Sequence, residues 1–97
     1  MIFTGAESKV EKYLRTEAKK HGFLCYKFVS PANNGVPDRI LIGHGKTLFV
    51  ETKAPGEDAR KLQKRVHARM REHGATVLII DNKDKIDNLF KEILSNN

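Results

Sequence analysis

Residues 38–53 read DRILIGHGKTLFVETK, two apolar runs separated by His44-Gly45. A glycine in so short a connection between runs rich in branched and aromatic residues predicts an antiparallel hairpin over 38–43 and 46–53. That pairing constrains everything else in the chain. A strand's side chains alternate between faces, so Glu51 and Lys53 emerge on the same side with Thr52 between them. Asp38 opens the partner strand, and the hairpin brings it to the same end as Glu51 and Lys53. Pro37 stiffens the approach, fixing its own φ and pushing Val36 towards extended geometry.

The flanking sequence supplies layers for this hairpin. From Glu7 to His21, Val10, Tyr13, Leu14 and Ala18 recur at helical spacing, and Gly22 is a stop signal. FLCYKFV (23–29) predicts a strand that runs into the turn-forming SPANNG. After APGED, a second helix is predicted with a buried stripe of Ala59, Leu62, Val66 and Met70, closing at Gly74. TVLII (76–80) is apolar without alternation, which predicts an interior strand covered on both faces. A last helix, about Lys83 to Leu94, carries Ile86, Leu89, Phe90, Ile93 and Leu94 on one side. The order α-β-β-β-α-β-α predicts an α/β class with a mixed sheet flanked by helices, a single domain over residues 1–97.

Two carboxylates converging at a sheet end repel each other unless something neutralises them. A hard divalent cation with oxygen ligands does so, and Mg²⁺ or Mn²⁺ fits better than zinc because no His/Cys cluster is present. The histidines His21, His44, His67 and His73 lie at helix ends and turns without ligand spacing, which predicts surface or capping roles. Cys25, the lone cysteine, lies in an apolar stretch and is expected to be a structural thiol. A cation at Asp38 and Glu51 with Lys53 beside it is equipment for phosphodiester hydrolysis. Charge agrees with that substrate: Lys plus Arg number 18 against 12 Asp plus Glu, for a net charge of +6, which attracts polyanions. With neither a long apolar span nor a secretory signal in the sequence, a cytoplasmic protein is expected, with no membrane partner.

Pro37-Asp38 followed by Glu51-Thr52-Lys53 resembles the PD-(D/E)xK nuclease signature, and the element order is similar to that superfamily's restriction-endonuclease-like core. More narrowly, ESKVEKYL, GVPDR, FVETKAPG and Gln63 resemble the virus-type replication-repair nuclease (VRR-NUC) domain in its stand-alone phage or bacterial form. The resemblance implies that Asp38 and Glu51 bind Mg²⁺ or Mn²⁺ with help from the Thr52 backbone carbonyl. It further implies that Lys53 is catalytic, that Gln63 supports the site, and that an acidic residue of the first helix completes it. Glu7 and Glu11 are four apart on one helix face, and both remain candidates for that acid.

The activity so implied is metal-dependent DNA endonuclease action, structure-specific in the manner of Holliday junction resolvases. A chain this small offers one site, so cutting two strands calls for a homodimer. Asn33 and Asn34 of SPANNG, with Arg39, Lys61 and Lys64, are the expected DNA contacts. A rival reading is a non-catalytic nucleic-acid-binding module on the same fold; a small ribosome-associated basic protein explains the charge but not the carboxylates.

Overall fold

A computed structural model describes residues 5–95. Its order is α1 (Gly5–Lys20), β1 (Leu24–Lys27), β2 (Arg39–Gly43), β3 (Lys46–Thr52), α2 (Lys61–Glu72), β4 (Thr76–Ile80) and α3 (Lys83–Ser95). The expected α-β-β-β-α-β-α order is therefore present in full.

β2 and β3 form the hairpin, with Gly43 opposite Lys46 and Arg39 opposite Val50. His44 and Gly45 both have positive φ, 53° and 73°, which is the backbone a tight two-residue turn between right-twisted strands demands. His44 tolerates it with local support: its Nε2 lies 2.7 Å from the His21 carbonyl and its ring packs on Phe23.

β1 adds antiparallel to β2, and β4 adds parallel to β3, for the sheet order β1-β2-β3-β4. β4 is thus an edge strand rather than an interior one. Its continuous apolar character has another source, since Leu78 and Ile80 face the core of α1 and α3 while α2 packs on the strand from the other side. The exposed margin is blunted by Arg71, whose Nη2 and Nε donate to the Val77 carbonyl at 2.7 and 3.2 Å.

The core lies on one face of the sheet. Val10, Leu14 and Ala18 of α1 and Ile86, Phe90 and Ile93 of α3 close over Leu41, Leu48, Val50 and Ile80. Burying such aliphatic side chains contributes about 1.5–3 kcal/mol each, so this face carries the stability. Residues of opposite parity, Phe49 and Glu51, must then face the other way, towards α2. β1 is shorter than the apolar run suggests because Phe23 belongs to the core and gives its N–H to the Ala18 carbonyl at 2.8 Å, ending α1.

α2 departs most from its predicted stripe. Leu62 is exposed, Ala59 is buried but precedes the helix, Val66 and Met70 are half-buried, and the fully buried residue is His67. The helix leans on a loop as well as on the sheet, which rotates its buried face away from the position that apolar spacing indicates. His67, expected at the surface, is buried instead; burial pushes its pKa down, and the charge of Arg71 adds to the effect.

Candidate active site

Asp38 stands just before β2. Its carbonyl accepts the Phe28 N–H at 2.8 Å, tying it to the end of β1, and Pro37 beside it is buried. Its carboxylate is gripped by one residue of β3, since Oδ1 accepts the Thr52 N–H at 3.0 Å and Oδ2 accepts the Thr52 hydroxyl at 2.7 Å. The hairpin register accounts for this: the last β2–β3 pair is Arg39 with Val50, so residues 38 and 52 flank the open end together.

Glu51 is buried, and its Oε2 is shared by two donors. Lys53 Nζ lies 3.5 Å away, and Gln63 Nε2 donates at 3.2 Å. Gln63 is itself oriented, because its Oε1 accepts the Arg60 N–H at 2.9 Å at the start of α2. One carboxamide thus couples a helix N-terminus to the carboxylate. Glu51 Oε1 is buried with no hydrogen-bond partner among the described residues, which is an unfavourable state for a carboxylate oxygen.

A cavity of about 420 Å³ opens over these groups, walled by Glu7, Asp38, Glu51, Lys53 and Gln63 on one side and by Asn33 and Asn34 on the other. The acids are under-neutralised. Burial, then the charge of Asp38, pushes the Glu51 carboxyl up to about 7 against the pull of Lys53. Burial also raises Asp38, opposed by its bonds from Thr52, and raises Glu7, opposed by Lys53.

The two first-helix acids differ in position: Glu7 borders the cavity and feels Lys53 and Asp38, whereas Glu11 is not among the residues that line it. Glu11 is buried beneath α1, where its carboxylate pairs with Arg39 and, at 2.7 Å, with Arg15. Arg39, expected to meet DNA, is thereby turned inwards as the clamp between α1 and β2. Lys61 is exposed outside the cavity, and Lys64 is also exposed but pairs with Asp58 at 2.7 Å. Asn33 and Asn34 do line the cavity. The sequence reading missed the Thr52 hydroxyl as the holder of Asp38, and missed Lys27 and Arg60 as cavity cations. Only Thr52 left a signal: its parity sets it apart from Glu51 and Lys53, on the side from which it can grip a neighbour.

The fold and this cluster define a class, a restriction-endonuclease-like α/β domain with Asp, Glu and Lys gathered at one rim of its sheet. No family model matches the sequence. The chain is 47% identical over 79 residues to "Putative nuclease p44" of Acyrthosiphon pisum secondary endosymbiont phage 1, covering 80% of this chain and 85% of that protein. A solved structure of a VRR_NUC domain superposes with a TM-score of 0.83 at 28% identity, covering 91% of this chain and 97% of the other. The chain belongs to the VRR-NUC nuclease family.

Proposed function

We propose that this domain is a Mg²⁺- or Mn²⁺-dependent DNA endonuclease that hydrolyses phosphodiester bonds in branched DNA, in the manner of a Holliday junction resolvase. The observation that carries the reading is the convergence of Asp38, Glu51 and Lys53 around a buried Glu51 Oε1 that has no hydrogen-bond partner among the described residues.

The donor set fits a hard cation. Asp38 and Glu51 offer oxygen ligands at the cavity wall, with the Thr52 backbone carbonyl as the expected third; the Glu51 carboxyl is raised to about 7, and its Oε1 is buried with no hydrogen-bond partner among the described residues. Among the described residues no group of three or more acidic, His or Cys side chains is close enough to hold a metal ion by itself; Mg²⁺ commonly binds through one or two carboxylates and retains several waters. Bound there, such a cation supplies Lewis acidity to the phosphoryl group. The protein does the rest. Lys53 offers a positive charge and N–H donors where charge builds on the phosphate oxygens, or orients the attacking water. Gln63 keeps Glu51 in one rotamer, Thr52 keeps Asp38 in one, and Glu7 adds a third carboxylate at the cavity wall. Asn33, Asn34, Lys27 and Arg60 border the space that a DNA backbone would enter.

Two strands are cut by two copies. Leu24, Tyr26 and Ile42 form an exposed apolar strip on the sheet face that carries Glu51, which supports a homodimer. A strictly monomeric mass at micromolar protein would count against that assembly.

The decisive experiment incubates protein with junction, flap, nicked and linear DNA in Mg²⁺, Mn²⁺ or chelator. Metal-dependent cutting of branched DNA that the Asp38→Ala variant lacks is the expected result. DNA binding without any cutting would instead make the domain a binding module.

A further inference from the structure

The loop over residues 30–36 has a cavity on each side. One is the site above. The other, about 480 Å³, lies between the loop and the outer half of α2, and Ser30, Asn33, Asn34 and Val36 wall both. The partition between them is backbone: Gly35 has a φ of +95°, and a Cβ there would stand 3.1 Å from Val66 and 3.2 Å from the Leu62 carbonyl.

The second cavity is built for a flat, two-natured ligand. Val36, Val66 and Met70 give it an apolar lining. The Asn34 carboxamide makes no hydrogen bond to any described residue, so it can donate and accept as a base edge requires. At the rim, Arg69 is exposed and has no ion pair among the described residues, free to stack on a base or meet a phosphate. His73 also walls the cavity, its Nδ1 2.8 Å from the Arg69 carbonyl, and the apolar floor of Val36, Val66 and Met70 suits the face of a base better than a terminal phosphate. The cavity's volume sits within the roughly 300–1,000 Å³ of small-molecule pockets.

We infer that this cavity receives an unpaired nucleobase of the strand being cut, next to the scissile phosphate held across Gly35. This rests on the nuclease reading and narrows its substrate to DNA with an unpaired nucleotide at the cut. A paired base cannot enter without leaving its stack, and that penalty is smallest where pairing is already lost.

The test compares three duplexes by fluorescence anisotropy in chelator at low salt: one with a single unpaired adenine, one with an abasic residue in its place, and one fully paired. A fourth carries 2-aminopurine at the unpaired position. Removing the base is expected to weaken wild-type binding roughly tenfold, the usual scale for one base held on side chains, and 2-aminopurine emission should change on binding. Met70→Asp and the surface variant Arg69→Ala should each shrink that ratio towards unity, with circular dichroism confirming that both fold. Equal affinity of wild type for the base-bearing and abasic duplexes would overturn the inference, as would an unchanged ratio in both variants. If metal-dependent cutting persisted despite equal affinities, only the base pocket would fail. Base-dependent binding without cutting in Mg²⁺ or Mn²⁺ would remove the nuclease reading instead, and no binding of any DNA would remove both.

Discussion

At the scale of single residues, the site is held together against its own charge. The Glu51 carboxyl rises from 4.5 to about 7 because it is buried beside Asp38. The native state therefore takes up a proton that the unfolded chain does not between those values, and stability falls as pH rises through that window. Glu51→Gln should leave the fold unchanged near pH 4 and, in chelator at pH 8, gain on the order of 2 kcal/mol in urea denaturation. Adding Mg²⁺ should then stabilise wild type and not the variant, since only wild type keeps the charged ligand. A variant no more stable than wild type at pH 8 would show that Glu51 is better solvated than its burial implies. Lys53→Ala is expected to keep metal-dependent stabilisation and lose turnover by two or more orders of magnitude, the scale at which a single charge-stabilising donor acts; single-turnover cutting near the wild-type rate would disprove its role. Thr52→Val removes the 2.7 Å bond to Asp38 and should reduce cutting while preserving expression, measured as a lower rate with an unchanged circular dichroism spectrum.

At the scale of elements, the joints matter more than the elements do. The hairpin was legible from His44-Gly45 and the two apolar runs, because turn chemistry and strand parity are local. α2 was legible as a helix but not in its orientation. Apolar spacing pointed to Leu62, yet the helix buries His67 and rests its Gly35-facing side on a loop backbone. No local signal encodes a glycine on one segment accommodating a helix on another. Gly35→Ala, with positive φ and contacts of 3.1–3.3 Å to α2, should destabilise the domain by about 1–3 kcal/mol and depress cutting, because the same loop leads into Asp38. Thermal unfolding measures the first effect and a cleavage assay on branched DNA the second.

For the whole molecule, a net charge of +6 sets the long-range field, and part of it lies along α2 and at its N-cap. Arg60, Lys61, Arg65 and Arg69 have no ion pair among the described residues, while Lys64 is matched by Asp58. If those four contact phosphates, affinity for DNA should fall roughly a hundredfold between 50 and 200 mM salt; a flat dependence would place the contacts elsewhere. No helix of the described residues is long and apolar enough to cross a membrane. By itself the sequence determined the element order, the antiparallel hairpin and the gathering of Asp38, Glu51 and Lys53 at one rim, all consequences of periodicity and short-range turns. Only the tertiary structure decided that Glu7 borders the cavity while Glu11 is spent on Arg39, that β4 forms an edge, and that His67 is buried. Each of those depends on how layers from distant parts of the chain rotate against one another, and two glutamates one helical turn apart look alike until a neighbouring strand brings its arginine to one of them.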